Sequence, residues 1–474
     1  MPRVDLTLVN AGPNVPRLAD GRLLKPPPLA VLSLAAYLKQ RGRTVQVLDY
    51  QLNSYPLEQQ LLVEAFTEFL LAQVGAPVLG ISTMTGMMPV VLLALDEYKR
   101  RRPQTTVILG GPGPSPAGAQ ILRHFRGVDI VAKGEGEETL AELLTSRGTL
   151  GRVRGICYRD QGEVRETAPR ARMRSLDDLP LPAYEEIEME PYAVANVYTA
   201  RGCPFACAFC EVPSFWGQPV ARRGLDHVIE EIKLLRLVYG KRRVNICDDT
   251  FIHHRGHVVE FCRRLQDERI DIEWECFARV DLMDEDLMRR MADSGCQSVF
   301  YGIESGSERV LKRLGKPLDL GKARETVSAS REYFPRVFAS FVWGFPFETM
   351  EEFFDTVLLM VDFESMGVQV QRPYLSLRPF SPLYHEYQQD MAFAESLPLY
   401  FLEVPRDYIP ESVVSAIKQH PDIFPGFYYP RSRDFESKRR FMARLEGLGE
   451  DRWEILYDEL TGALRQAVCM ETSA

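Results

Sequence analysis

Three cysteines within eight residues are the part of this chain best suited to chemistry: Cys203, Cys207 and Cys210, in the segment ARGCPFACAFC (Ala200 to Cys210). Thiolates are soft donors that hold iron-sulfur clusters, and a cubane has about four irons to ligate. Three local ligands leave one iron open, and an open metal position can take a substrate, as it does at catalytic zinc. The competing use is a structural zinc site or inert thiols. A closed tetrahedral zinc needs a fourth ligand, and neither a second CxxC pair nor a nearby histidine supplies one; Cys247 is a solitary candidate on a strand. The remaining thiols (Cys157, Cys262, Cys276, Cys296, Cys469) are scattered and read as small buried apolar residues.

The elements that must position this loop alternate between strand and helix patterns. Val4 to Val9, Thr44 to Leu48, Val78 to Ser82, Thr106 to Leu109 and Asp129 to Ala132 are short β-rich runs, each followed by a helical pattern. Such alternation predicts a doubly wound parallel sheet with ligands at the carboxyl ends of its strands. Three chemically distinctive loops lie there: GISTMT (Gly80 to Thr85), GGPGPSP (Gly110 to Pro116) and KGEGEET (Lys133 to Thr139). Glycines let a backbone approach a ligand closely, and the hydroxyls of Ser82, Thr83 and Thr85 can bond a phosphate or amide. The plain alternative for each loop is a tight turn.

Val153 to Ala168 reads as a hairpin turning at Asp160-Gln161-Gly162, and the basic, proline-bearing stretch Pro169 to Tyr184 as an interdomain linker. Strand patterns return near Asn196 to Ala200, Val244 to Cys247, Asp271 to Cys276, Ser298 to Gly302, Val337 to Val342 and Val368 to Leu375. Six βα units predict a partial TIM-type (β/α)6 barrel with its functional groups at the strand carboxyl ends. The last hundred or so residues read as helical and aromatic-rich, with HPDIFPGFYYP (His420 to Pro430) as a possible substrate cover. The expected division is thus a sheet domain over 1–150, a hairpin and linker over 151–195, a barrel over 196–385 and a helical region over 386–474.

Composition narrows the class. At 474 residues, 45% hydrophobic and 26% charged, the chain is long enough for two or three globular domains. The net charge of -9 argues against a generic nucleic-acid surface, which needs clustered Lys and Arg. No apolar run long enough to span a membrane occurs, and the start lacks the pattern of a secretion signal, so a soluble, cytoplasmic protein is expected.

The cysteine loop and the order of segments over residues 1 to 385 resemble the radical S-adenosylmethionine (SAM) superfamily, in the subgroup with an N-terminal cobalamin-binding domain. The resemblance implies a 4Fe-4S cluster on Cys203, Cys207 and Cys210, with SAM chelating the open iron. It implies further SAM contacts from CDDTF (Asp248, Asp249), FARVD (Arg279 to the carboxylate), YGIESGS (Glu304, Ser305) and SFVWGFPFET (Phe341, Gly344). For the carboxylates, the competing role is a salt bridge or helix cap.

The same resemblance places cobalamin against Pro28 and Leu29 of PPPL, where Ala30 replaces the family's usual glycine. The loop residues Ser82, Thr83, Thr85, Gly110, Gly111, Pro112, Gly134, Glu135 and Gly136 would complete that site. The Asp-x-His-x-x-Gly motif that inserts histidine beneath cobalt is missing; His124 is the lone histidine before residue 150. Family chemistry implies a 5'-deoxyadenosyl radical, methyl transfer to an unactivated carbon, and a flavodoxin- or ferredoxin-type electron donor. A radical cyclase, rearrangement or oxidation enzyme is the alternative within the family. A methylthiotransferase would need N-terminal cysteines, and the first here is Cys157. Outside the enzymes, the alternative is a metal-stabilised binding protein.

Overall fold

The computed structural model describes residues 4–12, 18–53, 63–146, 148–394 and 409–446. Its first sheet has seven strands: β1 (Leu6–Asn10), β2 (Val45–Asp49), β3 (Val78–Ser82), β4 (Thr106–Gly110), β5 (Ile130–Ala132), β6 (Ile156–Asp160) and β7 (Glu163–Glu166), in the order β2-β1-β3-β4-β5-β6-β7. The first five pair parallel, and their central residues are buried because helices cover both faces. The hairpin expected as part of the linker instead pairs antiparallel with β5 and extends this sheet. It has a reason to do so: Ile156 and Cys157 are apolar and bury against the sheet's core. The linker that follows is also packed, with Leu176 and Leu179 buried beside Tyr37 and Ala221.

The second sheet is an open barrel of six parallel strands: β8 (Ala195–Val197), β11 (Arg243–Ile246), β12 (Glu273–Ala278), β13 (Cys296–Glu304), β14 (Arg336–Phe341) and β15 (Gln369–Gln371). Between β8 and β11 a short antiparallel ribbon is formed by β9 (Ala200–Arg201) and β10 (Ala221–Arg222). The order β15-β14-β13-β12-β11-β8 leaves β8 and β15 as free edges, so the barrel is not closed. Strand alternation decides its inside. Trp274, Cys276 and Ala278 of β12 are buried against the helix layer, whereas Glu275 and Phe277 face the other way and stay partly open. β15 is much shorter than the expected Val368 to Leu375, because the chain runs at once into Arg372-Pro373, and proline has no N–H for a ladder.

The carboxyl-terminal region is not purely helical. β16 (Met391–Phe393) pairs antiparallel with β17 (Tyr428–Pro430), between helices Glu411–Gln419 and Phe435–Glu446. Phe424 and Phe427 are fully buried, and Phe424 meets Phe125 of the first domain. Phe424 and Phe427 thus pack the carboxyl-terminal region onto the first domain. Cys469 and the rest of 447–474 lie outside the described residues.

Candidate functional site

The cysteine loop joins β9 to β10, and its backbone is pinned before any cofactor enters. Ala208 N–H donates to Leu314 C=O at 2.8 Å, Cys210 N–H to Cys207 C=O at 3.0 Å, and Gln218 Nε2 to Cys203 C=O at 2.9 Å. Gly202 starts the loop at φ +99°, where a side chain would press on Trp216 and the Arg172 guanidinium. All three thiols are half-buried and free. Burial pushes the Cys210 thiol up to about 12, and it raises Cys207 as well, against the pull of Lys316 and Arg279. Metal binding would therefore have to displace protons that this pocket otherwise retains.

Among the described residues no three His, Cys, Asp or Glu side chains converge to hold one metal ion. A tetrahedral zinc requires such convergence, whereas a cubane takes each thiolate on a different iron. Three thiols on one pinned loop match the ligand number of a cubane with one open iron.

Two cavities lie between the domains. One, of about 510 Å³, is bounded on the sheet side by Pro28, Leu29, Ser82, Thr83 and Pro112, and on the barrel side by Tyr198, Arg201, Cys247 and Asp249. The other, of about 200 Å³, is largely apolar and reaches under the glycine loops, past Gly110, Gly111 and Gly134 to Gly136, with Phe215 and Trp216 opposite. A side chain at Gly111 would come within 2.7 Å of the Thr83 carbonyl, so the close loop packing requires glycine there. Thr85 lines neither cavity; its methyl faces Gly426 of the carboxyl-terminal segment. No histidine lines either one, and His124 packs on His420 with ring centroids 4.5 Å apart.

Arg201 spans the boundary between the cavities. It pairs with Glu135 at 2.9 Å and Glu137 at 2.7 Å, all three side chains being about nine-tenths buried, and its guanidinium lies over the rings of Tyr198 and Trp216. Glu135 also accepts from Met173 N–H at 2.7 Å, so the carboxylate expected to meet cobalamin is taken up by protein partners.

Residues 197–360 match the radical SAM superfamily profile, and residues 21–144 match the B12 binding domain profile. The chain carries a radical SAM domain preceded by a B12-binding domain. It is 28% identical over 362 residues to an uncharacterised methyltransferase of Pyrococcus horikoshii, covering 74% of this chain and 77% of that protein. It is 29% identical over 376 residues to cytidylyl-2-hydroxyethylphosphonate methyltransferase of Streptomyces wedmorensis, covering 67% and 69%. Its fold matches that of TsrM from Kitasatospora setae, a radical S-adenosylmethionine methyltransferase solved with tryptophan and a SAM analogue. That match has a TM-score of 0.69 at 17% identity, over 91% of this chain and 87% of that one.

In this radical SAM enzyme the strand-end residues divide into those that reach the cavity and those that hold the frame. Asp249 is open to the cavity and accepts from Gly202 N–H at 3.2 Å; the protein around it raises its carboxyl. Asp248 is buried and spent on structure, accepting from Thr199 N–H at 2.6 Å, Thr199 Oγ1 at 2.5 Å and Ala200 N–H at 3.1 Å. It anchors the ribbon that carries the cysteines, and burial pushes it up to about 6.

Arg279 forms a two-point pair with Asp281, both contacts at 2.9 Å, and lies 4.0 Å over the Phe205 ring of the cysteine loop. Glu304 has φ +72° and pairs with buried Lys316 at 2.8 Å; Lys316 also donates to Gly302 C=O. Ser305 is fully buried, bonded to Thr356 Oγ1 at 3.1 Å and accepting from Ser307 N–H. Phe341 is fully buried against Phe363, and Gly344 at φ +88° fits beneath the Phe435 ring. Phe341 does not face the barrel's interior, because alternation along β14 sends Phe338 and Ser340 there instead.

Sequence reading missed Lys316, Arg201 and the inward row of β12 to β14. The alternation in EWECFA and RVFASF carried a signal for that row; nothing local could have paired Lys316 with Glu304, or Arg201 with Glu137.

Proposed function

We propose that this protein is a cobalamin-dependent radical SAM C-methyltransferase acting on a small molecule. The observation that carries the reading is the shared space: the cavity against the glycine-loop sheet is also walled by Cys247 and Asp249 at barrel strand ends, and by Arg201, two residues before Cys203. When bound, the cluster with SAM would supply a 5'-deoxyadenosyl radical, and cobalamin a transferable methyl group.

The chain's own residues bind, orient and exclude. Cys203, Cys207 and Cys210 would each hold one iron, and the pinned loop backbone holds the three thiols in place for it. Asp249, facing the cavity, is suited to a cationic amine, and Arg279 to a carboxylate if it exchanges Asp281 for SAM. Ser82, Thr83, Pro28, Leu29 and Pro112 would contact the corrin, while the apolar cavity under Gly110, Gly111, Pro112, Gly134 and Gly136 would admit its nucleotide tail without a histidine on cobalt. The proposed units are residues 1–150 for cobalamin, 151–195 as connection, 196–385 for the cluster and SAM, and 386–474 as the closing region. A flavodoxin- or ferredoxin-type protein would supply electrons, and the compartment is the cytoplasm.

The test is anaerobic reconstitution with SAM labelled on its methyl group and candidate substrates from neighbouring genes. Label in a carbon-methylated product, with 5'-deoxyadenosine and S-adenosylhomocysteine formed alongside, is the expected result. Product with 5'-deoxyadenosine and no label would replace methyl transfer by cyclisation, rearrangement or oxidation. No 5'-deoxyadenosine and no product would return the chain to a binding role.

A further inference from the structure

The inside of the barrel carries a row of three phenylalanines that the described residues leave partly exposed. Parallel register sets Phe277 of β12 beside Phe300 of β13, and Phe300 beside Phe338 of β14. Their rings form a continuous surface, with centroids 5.2 Å apart for the first pair and 6.1 Å for the second, the latter stacked at 19°. The flanking residues of each strand, such as Cys276, Val299 and Val337, are buried against the helices, so the rings point into the lumen. Closed barrels fill that volume with interlocking side chains. Here Phe277 is 46% exposed, and Phe300 and Phe338 are only partly covered. Leaving such area in water is unfavourable by about 25 cal/mol per Å², which a bound apolar surface would recover.

The opposite wall is polar and carries an unmet demand. Asn196 of β8 lies in the same sheet, beside Asn245 of β11, and its Oδ1 is buried with no hydrogen-bond partner. Buried acceptors are ordinarily paired, so this one marks a place where a donor belongs. Asn196 also borders the 510 Å³ cavity together with Tyr198 and Cys247. Asn196 is thus the residue of this wall that borders the space of the proposed chemistry.

We infer that the substrate of this enzyme carries a flat aromatic ring with an N–H or O–H donor, the ring lying on Phe277, Phe300 and Phe338 and the donor facing Asn196 Oδ1. A flat π-face gains offset or edge contacts from such a row that a flexible alkyl chain does not. The inference rests on the proposed function in taking this lumen as the substrate site. Its test measures binding without turnover, so the two can fail separately.

The probes are indole, 1-methylindole and 1-octanol, titrated into the reconstituted holoenzyme by calorimetry or saturation-transfer NMR, with SAM affinity measured in parallel. Indole is expected to bind about tenfold more tightly than octanol. Phe277→Leu, at a half-open position where folding is spared, should lower indole affinity several-fold and leave SAM affinity unchanged. Asn196→Ala should abolish the preference for indole over 1-methylindole. Equal binding of octanol and indole overturns the aromatic assignment. Loss of SAM affinity in Phe277→Leu, with indole unaffected, assigns the row to the cofactor and overturns it equally. An unchanged indole preference in Asn196→Ala removes the donor from the inference.

Discussion

Arg201 on the ribbon that leads into the cysteine loop donates to Glu137 of the glycine-loop domain at 2.7 Å, with both side chains nearly excluded from water. A pair of this kind is held less for net stability than for registry, since its desolvation offsets much of its attraction. What it fixes here is the distance between the two halves of the site. Arg201→Ala should leave two buried carboxylates uncompensated and cost about 3–5 kcal/mol in chemical denaturation. It should also lower cobalamin retention on gel filtration. Retention equal to wild type would show that the pair does not set the interdomain site.

Cys203, Cys207 and Cys210 are expected to act as a set. Alanine at any one should lower bound iron and sulfide and the near-visible charge-transfer absorption of the reconstituted protein. Cys262→Ala and Cys296→Ala remove thiols buried in the barrel's outer layer and should leave the cluster intact. Iron and sulfide are read chemically; full loading of the triple variant is the result that would remove the cluster assignment.

Asp248 makes stability depend on pH in a defined direction. Its carboxyl is pushed up to about 6 in the fold, chiefly by burial, whereas an unfolded aspartate titrates near ~3.9. Between those values the folded state holds the extra proton, so stability falls as pH rises from about 4 to about 6, and is level above. Asp248→Asn keeps an acceptor for Thr199 and Ala200 N–H without the buried charge. It should flatten the profile and exceed wild type by roughly 3 kcal/mol at pH 7. Parallel profiles for the two proteins would contradict the shift.

Lys316 and Glu304 are both buried, and Lys316 also braces Gly302. Lys316→Met should destabilise by about 3–5 kcal/mol, because the carboxylate is left alone in the interior. The double variant with Glu304→Gln should recover most of that loss in a double-mutant cycle. Additive losses would mean the pair does not interact.

A side chain at Gly302 would approach Glu304 Oε1 to 2.3 Å and Lys316 Nζ to 2.8 Å. Gly302→Ala should therefore displace this pair and lower the unfolding midpoint, a change readable by calorimetry. An unaltered midpoint would show that the pair moves aside freely.

The cluster loop, the glycine-loop edge and the strand-helix alternation were legible in the sequence, because each depends on neighbours only a few residues apart. A CxxxCxxC spacing is a local property, and so is the run of glycines after β4 or the apolar centre of β3. The side-chain alternation of β14 was also present in the sequence, yet choosing Phe338 over Phe341 for the lumen required knowing which face the helices cover. Partner choice was not legible at all. Asp248, Asp249, Glu304 and Ser305 are equally polar in sequence, but Asp249 alone is left open to the cavity, because Thr199, Lys316 and Thr356 reach the other three from distant segments. The sequence by itself determined which chemistry the loop can support and the architecture that carries it. The tertiary structure decided which polar groups remain for a ligand, since burial and long-range hydrogen bonding act between residues that only folding brings together.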